Sequence, residues 1–477
     1  MLYQSSKCRY YSIFLAVLFT TSCTKQLEVP PPKTGISGEN VFTSDETAAA
    51  TLTGIYGKMS ANYFPDGGIT SVPLLTGLSS DEFGLFTGTS NTTYIQYYKN
   101  SLSSNTIPYT ADFWSSFYPY IYFANSAIER LNKSTYLTPA VKAQLLGEAK
   151  FFRAFCYFYL LNLYGDVPLV TITDYKQTSV IGRTSVADVY KFMISELKDA
   201  QSLLSEDYVD ASATNLTNER TRPNKWSATA LLARMYLFTG KWNEAISECN
   251  SIIDNKRLFE LLSDVNSVFH ANSREAIWQL QPVLAGYNTQ EARIYIIPPT
   301  GPSDLNPIVI SRSLLKSFES GDLRRINWID SIKINSTTYH YLYKYKVNTP
   351  GSPVSEYSTI LRLSEVYLIR AEAKAQIGDL TGSSVDLNTI RNRSGLQNTT
   401  ITTKSGLLTA IFNERRVELF GEWGHRWFDL KRSGEIDQAM DFAAEEKGSK
   451  WVSTQQLYPI TSKELLNNSK LVQNPGY

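Results

Sequence analysis

The stretch from Gly147 to Pro168 constrains the fold of this chain more than any other part of the sequence. Its apolar residues recur every three or four positions, the period of one helical face, and large apolar side chains also occupy the opposite flank. A helix that is apolar nearly all round must be covered by protein on most sides. Arg153 interrupts the run, which is also too short for the about 20 apolar residues of a membrane span. The sequence therefore predicts a central helix, ended by Gly165 and Pro168, within a mainly helical core.

Composition excludes several classes of protein and leaves one question open. A hydrophobic content of 43% and a charged content of 19% are those of an ordinary globular protein. The formal net charge of +1 provides no electrostatic footprint for nucleic acid, and only 3 histidines argue against a multi-histidine metal site. We therefore expect no nucleic-acid partner, metal or cofactor, although carboxylate chemistry stays open. The 30 tyrosines and 8 tryptophans either pack the protein or present flat rings to ligands such as sugars.

The N-terminal residues are typical of an exported and anchored protein. Lys7 and Arg9 precede a short apolar run over 11–19, and small residues then lead to Cys23. A cysteine at the expected cleavage site resembles a bacterial lipoprotein box, in which that cysteine becomes the lipidated N-terminus of the mature chain. Residues 24–34, with their run of prolines, predict a stiff tether between the lipid anchor and the folded body. A plain signal peptide with an incidental cysteine is the alternative.

Helical hairpins follow the tetratricopeptide pattern, a helix–turn–helix unit of about 34 residues. Registers that begin at Trp226 and Ser364 place small residues and a turn glycine where this repeat requires them. The central helix is predicted to pair with a helix that begins near Thr184, and helices over 114–132 and 407–421 could complete a fourth pair. Such units cannot bury their apolar faces alone, so they stack and usually serve as a scaffold for binding.

Individual residues predict where two helices begin and which helix faces are buried. Ser44 is a predicted N-cap, and Thr184 or Ser185 is another. Cys156 and Cys249 fall on predicted helix faces, where a free cysteine acts as a small buried hydrophobe. A disulfide between these two cysteines stays open.

Two segments, 60–108 and 261–357, have little long helical pattern and contain many turn-forming and tyrosine residues. The first is predicted as a long loop, and the second is predicted to contain short strands at Ile277–Leu280 and Ile294–Ile297. The chain after Leu457 is predicted to be extended. A loop region this long inside a compact domain is uncommon and is more often functional than not.

Several blocks of the sequence resemble the SusD/RagB family of nutrient-binding lipoproteins. Each block is weak by itself, but together they occur in the family's order along essentially the whole mature chain. They are the lipoprotein-box Cys23, Glu148–Ala154, Leu163–Leu169, Arg222–Tyr236, Glu414–Leu419, Gly424–Arg432 and the ending Leu457–Tyr477. One departure is that Glu28 is the single carboxylate just after Cys23, where some surface lipoproteins carry an acidic run. The outward-facing placement therefore depends on the resemblance.

The resemblance implies a mainly α-helical fold in which about four tetratricopeptide-like pairs form a right-handed superhelical scaffold. An irregular, loop-rich lobe with short β-strands accompanies this scaffold. The predicted organisation is a lipoprotein signal peptide at 1–22, a lipidated tether at 23–35 and one body at 36–477. Within the body, the scaffold is predicted at about 110–260 and 358–421, the lobe at about 60–108 and 261–357, and a C-terminal extended block at 422–477.

The resemblance also implies a function at the cell surface. Such proteins are lipid-anchored in the outer membrane, face the exterior, bind oligosaccharide or polysaccharide, and deliver it to a SusC-like TonB-dependent transporter without catalysis. Sugar rings stack on aromatic side chains while polar neighbours bind their hydroxyls. The ligand-binding residues expected in the two lobe segments are Tyr94, Tyr97, Tyr98, Asn100, Tyr287, Tyr295 and Trp328. The alternative is that these side chains only pack the lobe.

Two other functions remain open. A repeat adaptor would bind a peptide or protein in its helical groove, and a glycosidase would use two carboxylates such as Glu414 and Glu418, which share a helical face. Surrounding arginines would depress the pKa of such acids, which favours structural ion pairs. His425 lies between two tryptophans and is expected to pack. Asp81 and Glu82 could bind a cation such as Ca²⁺, although two carboxylates are a weak signal.

Overall fold

Helices make up most of the regular structure in the computed structural model, which describes residues 41–61 and 71–477. The predicted signal peptide, Cys23 and the tether lie outside the described residues. The helices are α1 Asp45–Ser60, α2 Val72–Ser79, α3 Thr92–Tyr98, α4 Phe113–Lys133, α5 Pro139–Tyr164, α6 Tyr175–Thr178, α7 Val186–Leu203, α8 Lys225–Phe238, α9 Trp242–Ile253, α10 Gln290–Tyr295, α11 Arg312–Ser317, α12 Leu323–Asn327, α13 Leu363–Ile377, α14 Leu380–Arg393, α15 Lys404–Leu419, α16 His425–Ser433, α17 Ile436–Lys447 and α18 Ser462–Asn467.

Short strands in the described chain form three separate two-stranded antiparallel sheets. The strands are β1 Phe83–Leu85, β2 Ala276–Leu280, β3 Ile308–Ile310, β4 Ile329–Ile334, β5 Thr337–Leu342 and β6 Ser358–Arg362. β1 pairs with β3, β2 pairs with β6 through an irregular register, and β4 forms a hairpin with β5. The β1–β3 pair therefore joins the two segments of the predicted lobe, which are far apart in the sequence.

Helix α5 contains the stretch that dominates the sequence, and its burial confirms the predicted central position. Pro139 supplies a preset backbone angle in the first turn, and Gly165, with φ of 75°, ends the helix. Its side chains are buried on most flanks because α1, α4 and α7 pack around it. Gly147 permits the close approach of α7, since a Cβ at that position would lie 2.7 Å from Leu204 Cγ. Within 41–61 and 71–477, none of the helices is long and apolar enough to cross a membrane.

The predicted local signals are confirmed at the starts of two helices. The Ser44 hydroxyl accepts from the Thr47 amide at 3.3 Å, and the Ser185 hydroxyl accepts from the Asp188 amide at 3.2 Å. Cys156 and Cys249 are both free and buried, so the disulfide that the sequence left open does not form.

The scaffold helices pack in a continuous series. α4 contacts α5, followed in turn by α7, α8, α9 and α13, and α13 contacts both α14 and α15. The predicted pairs α5–α7, α8–α9 and α13–α14 are confirmed, and Gly240 and Gly378 occupy positive φ at the two hairpin turns. The suggested pairing of the helices over 114–132 and 407–421 is wrong, because α4 packs on α5 while α15 packs on α13 and α14. An apolar period shows that one face of a helix is buried, but it does not identify the helix that packs on that face.

Helices also occupy parts of the chain that were predicted to lack them. The predicted loop over 60–108 contains α2 and α3, whose first turns are capped by the side chains of Ser71 and Asn91. The block at 422–477 is not extended throughout, because it contains α16, α17 and α18. These helices are short, and their tertiary contacts rather than a long apolar period stabilise them. After Leu457 the described chain has no α-helix other than α18, so the prediction of an extended, turn-rich ending is confirmed outside that helix.

The two predicted strands have different outcomes. Ile277–Leu280 is confirmed, because it lies in the fully buried strand β2. The predicted strand Ile294–Ile297 is wrong, because α10 continues to Tyr295 after a cap in which the Thr289 hydroxyl accepts from the Ala292 amide. A short apolar run alone does not distinguish a strand from a buried helical turn.

Candidate functional site

The structure buries most of the side chains predicted to bind ligand. Tyr97 and Trp328 are 1% and 0% exposed, and they donate to the carbonyl oxygens of Ala111 at 2.7 Å and Val265 at 2.9 Å. Tyr295 is also fully buried, with its ring centroid 5.3 Å from that of Phe83, and Tyr94 and Asn100 are buried as well. A ring without an exposed face cannot stack on a sugar, so in this conformation these side chains pack the lobe.

Tyr98 and Tyr287 are the two predicted rings that remain partly exposed. The Lys447 ammonium lies 5.2 Å from the centroid of Tyr98, and burial together with the charge of Glu446 raises the pKa of Tyr98 to about 12. The Arg293 guanidinium lies 4.5 Å from the centroid of Tyr287. Arg293 therefore places a cationic hydrogen-bond donor beside Tyr287, which suits recognition of a ligand that carries hydroxyl groups. The Lys447 ammonium beside Tyr98 is buried and donates to the carbonyl oxygens of Leu78 at 2.7 Å and Ser79 at 2.9 Å.

The lobe holds a further pair of accessible rings that sequence reasoning missed. Phe86 follows β1 and Tyr339 lies in β5, and their partly exposed rings meet edge to face with centroids 6.1 Å apart. The β1–β3 pair and the contact of β3 with β5 bring these segments together. Tyr339 lies in a run of alternating residues that indicates a strand, but the sequence does not indicate that Phe86 is its partner.

The loop that precedes β3 connects these accessible rings. The Asp304 carboxylate accepts from the Thr89 hydroxyl at 2.6 Å and from the Ser90 amide at 2.7 Å, which ties the chain after Phe86 to this loop. The hydrogen bonds from Ser90 and Thr89 lower the pKa of Asp304. The Asn306 amide donates at 2.7 Å to the carbonyl oxygen of Arg293, the residue that covers Tyr287. Short polar contacts thus hold three surface segments of the lobe in fixed positions.

Asp81 is paired with arginines and is not an open ligand for a cation. Its carboxylate accepts from Arg426 Nε at 2.7 Å and from Arg416 Nη2 at 2.7 Å. Burial alone raises the pKa of Asp81, but the two guanidinium groups outweigh burial and lower it. Burial and the charge of Asp81 raise the pKa of Glu82 to about 8, so Glu82 is protonated at neutral pH. Across 41–61 and 71–477, no group of three or more metal-ligating side chains occurs.

The C-terminal acid–arginine cluster forms structural ion pairs, as predicted. Arg324 Nη1 lies 2.6 Å from Glu414 Oε1 and 2.9 Å from Glu418 Oε2. Glu418 is fully buried and also binds the guanidinium groups of Arg362 at 2.6 Å and Arg393 at 2.5 Å. Burial raises the pKa of Glu418, but these three arginines lower it well below its usual range.

Glu414 differs from the expectation that arginine would depress its pKa. Burial is the largest effect and raises the pKa of Glu414, although Arg324 opposes it. Glu414 and Glu418 are 3% and 0% exposed, so a substrate has no access to the pair that the glycosidase alternative requires. His425 is packed, as predicted, and burial next to Arg234 and Arg415 lowers its pKa well below the usual range.

Comparisons with known proteins agree with this architecture. Residues 323–477 match a family model described as the SusD family, and residues 72–237 match one described as starch-binding associating with outer membrane. SusD-like protein P25 of Formosa agariphila is 23% identical, with 97% of this chain and 96% of the relative aligned.

Solved structures share the fold. A laminarin-binding SusD-like protein has a TM-score of 0.75 at 23% identity, covering 90% of this chain and 99% of the other. Surface glycan-binding protein A from Bacteroides uniformis has a TM-score of 0.73 at 20% identity, with 90% and 99% covered. The matches to the two family models lie in different parts of the chain, in scaffold and C-terminal elements alike, so the chain is similar to the SusD family in both parts.

Proposed function

We propose that this protein binds oligosaccharide or polysaccharide through the exposed face of its lobe. Anchored in the outer membrane through Cys23 and facing the exterior, it then delivers the ligand to a SusC-like TonB-dependent transporter. The names of two structural relatives, one laminarin-binding and one a surface glycan-binding protein, support carbohydrate as the ligand class. The description of the matched family model supports the outer membrane as the location.

The observation that carries the ligand proposal is the contact of Tyr287 with Arg293. The tyrosine ring is partly exposed, and the guanidinium lies 4.5 Å from its centroid. A guanidinium has five N–H donors, and Arg293 uses Nη1 to bind Gln290 Oε1 at 2.8 Å. A flat ring beside fixed donors is the arrangement that sugar recognition needs, with the ring for C–H faces and the donors for hydroxyls.

Binding can be tested with a Cys23→Ser variant of the chain, in which the predicted lipidation site is removed. We expect the protein to be retarded in native gels that contain its polysaccharide, with laminarin as the first probe. Tyr287→Ala and Tyr98→Ala should each weaken binding about fivefold to tenfold, because a ring contact of this kind contributes about 1 kcal/mol.

The matched control is Tyr175→Ala, which removes a tyrosine that is 77% exposed in α6, outside the lobe. This variant should bind like the parent. Equal loss in all three variants, or no retardation by any polysaccharide in a broad panel, would contradict the proposed site.

The anchor and the partner need separate measurements. Cys23→Ser should move the protein from the membrane fraction to the soluble fraction, and unchanged fractionation would contradict lipidation at this residue.

A TonB-dependent transporter should co-purify with the lipidated protein after mild detergent extraction. Its absence from the purified complex would contradict delivery by direct transfer.

We further propose that binding occurs without catalysis. The carboxylates that a glycosidase would need are those of Glu414 and Glu418, which are buried and bound to Arg324. Prolonged incubation with a bound polysaccharide should release no reducing ends. Release that is lost in Glu414→Gln would instead support the glycosidase alternative.

A further inference from the structure

A groove of about 1060 Å³ lies on the helical scaffold and reaches Asp81 and Ser313 at the border of the lobe. The turn between α8 and α9 and helices α13, α15, α16 and α17 form its walls. Four aromatic side chains with exposed or partly exposed rings line it: Phe238, Trp242, Phe412 and Phe442. Phe442 is 74% exposed, so its ring is accessible to a ligand.

Amide side chains accompany these rings. Gln376, Asn413 and Gln438 line the same groove, and none of their side chains forms a hydrogen bond within the part of the chain that the structure describes. Each amide carries donors and an acceptor, as a sugar hydroxyl does. Aromatic faces together with free amides therefore suit a carbohydrate better than a purely apolar ligand.

The charged groups at the floor of this groove are already paired. Asp81 is bound by Arg416 and Arg426, and Glu372 Oε1 lies 2.5 Å from Arg432 Nη1. These ion pairs leave little net charge in this part of the groove. An anionic group of the ligand would therefore have to bind elsewhere.

A second groove, of about 940 Å³, meets the first at Phe238 and Arg432, which line both. Its cations are Arg183, Lys431 and Lys470, in addition to the shared arginine. Among the described residues, the single carboxylate that lines it is that of Asp166, which accepts from the Val186 amide at 2.9 Å. The second groove is thus positively charged, whereas the first is aromatic and nearly neutral.

Lys431 is the lysine of this groove that is partly removed from solvent without a carboxylate partner among the described residues. Its ammonium donates to the carbonyl oxygen of Asn162, and no carboxylate forms an ion pair with it within residues 41–61 and 71–477. Burial without such a partner lowers the pKa of Lys431 to about 7. Arg183, in contrast, is held by carbonyl oxygens, including those of Tyr164 at 2.8 Å and Val472 at 2.7 Å. A bound anion would supply the partner that Lys431 lacks.

We propose that the two grooves form one extended site for an acidic oligosaccharide, separate from the lobe. Sugar rings lie on Trp242, Phe412 and Phe442, and a carboxylate or sulfate group of the same chain contacts Lys431. The continuity of the grooves at Phe238 fits a linear polymer that spans both. The site shares with the proposed function only the carbohydrate class of its ligand.

The test uses the Cys23→Ser chain and three acidic probes: oligogalacturonate, oligoalginate and chondroitin sulfate oligosaccharides. Affinities are measured by calorimetry, and methyl-esterified oligogalacturonate serves as the uncharged counterpart of the first probe. We expect at least one acidic probe to bind at least fivefold tighter than the esterified one. Phe442→Ala should weaken the binding of that probe about fivefold, and because this side chain is exposed the variant should fold normally.

Lys431→Met should remove the preference for the acidic probe while leaving the affinity for the esterified form unchanged. Lys431→Arg should restore the preference, which a variant with merely perturbed folding would not do. Lys256→Met, which removes an exposed lysine after α9, should behave like the parent.

Three results would overturn this inference. The first is equal affinity for acidic and esterified probes, and the second is acidic binding that Tyr287→Ala abolishes but Phe442→Ala does not affect. The second result would leave the lobe site intact. The third is Phe442-dependent binding of an extended peptide such as oligoproline, with no Phe442-dependent binding of any of the sugars, which would make the groove a peptide site.

Discussion

Asp81 connects the lobe to the scaffold at the scale of single residues. It follows α2, and its carboxylate is held by Arg416 of α15 and Arg426 of α16. Its carbonyl oxygen also accepts from the Ser311 hydroxyl at 2.6 Å, just after β3. One buried residue therefore contacts both parts of the protein that the sequence separates. Removing its charge would leave two buried guanidinium groups without a carboxylate.

We expect Asp81→Asn to lower the free energy of unfolding by about 3–5 kcal/mol, the usual cost of breaking a buried ion pair. Urea unfolding followed by circular dichroism measures the change. The control is Asp199→Asn, since Asp199 pairs with Lys150 at 2.7 Å but has a side chain that is 54% exposed. Asp199→Asn should lower the free energy of unfolding by less than about 1 kcal/mol. Similar losses in the two variants would contradict a special role for Asp81.

Glu82 makes the stability of the protein depend on pH. Burial and the neighbouring Asp81 raise its pKa from an ordinary value of 4.5 to about 8 in the folded protein. Because the folded state binds this proton more tightly than the unfolded chain, the contribution of Glu82 is present below about pH 4.5 and is lost as the pH rises through 8. Glu291, whose pKa burial also raises to about 8, should act in the same direction.

Glu82→Gln should therefore gain stability relative to the wild type as the pH rises from 5 to 8. The difference between the two proteins should change by at most about 1.4 kcal/mol per pH unit. Urea unfolding at pH 5, 6.5 and 8 measures it. A constant difference between the wild type and the variant over this range would contradict a protonated Glu82.

At the scale of elements, the contact between α5 and α7 depends on one small residue. Gly147 sits where a Cβ would lie 2.7 Å from Leu204 Cγ and 3.2 Å from Leu203 Cβ. The two helices approach at this point because no side chain separates them. The same logic of small residues at helix crossings underlies tetratricopeptide-like pairs.

Gly147→Ala should destabilise the protein by about 1–3 kcal/mol, because the added methyl group forces the helices apart. The matched control is Gly54→Ala in α1, where a Cβ would meet nothing within 4 Å. This control should be neutral or stabilising by up to about 1 kcal/mol, since alanine favours helix over glycine. Thermal unfolding of both variants measures the contrast, and a neutral Gly147→Ala would contradict the close packing.

At the scale of the whole molecule, two surfaces have the chemistry of carbohydrate binding. One lies on the lobe around Tyr287, and the other is the double groove of the scaffold around Phe442. Tyr287 and Arg293 line neither groove, so the two surfaces have no side chain of this pair in common. We therefore expect the two surfaces to bind ligand independently.

Both proposals together predict a stoichiometry. Short acidic oligosaccharides that bind both surfaces should titrate about two sites per chain by calorimetry. Tyr287→Ala and Phe442→Ala should each weaken one of the two sites about fivefold and leave the other unchanged, and the double variant should weaken both. Loss of both sites in either single variant would contradict two independent surfaces.

Local patterns account for the parts of the fold that were predicted correctly. The apolar period of α5, the caps at Ser44 and Ser185 and the turn glycines Gly240 and Gly378 are each set by neighbours in the sequence. The short helices α2, α3 and α10 have caps as well, but their segments are too short for periodicity to indicate a helix. Their stability comes from partners elsewhere in the chain.

In the candidate site, too, local sequence patterns predict some features and contacts between distant segments decide the others. The sequence indicated which segments of the lobe are rich in rings, and the structure decided which rings are accessible. Tyr97 is buried because Tyr458, near the other end of the chain, packs 5.3 Å from its centroid, whereas Tyr287 stays partly exposed. No local pattern distinguishes these two tyrosines.

The sequence by itself therefore determined three of the helical pairs, the ion-pairing acids and arginines, and the resemblance to a family. Only the tertiary structure decided which residues cover one another, and hence which rings face solvent and where two grooves meet at Phe238. The physical reason is that hydrogen bonds and turns act between neighbours in the chain, whereas burial depends on contacts between distant segments.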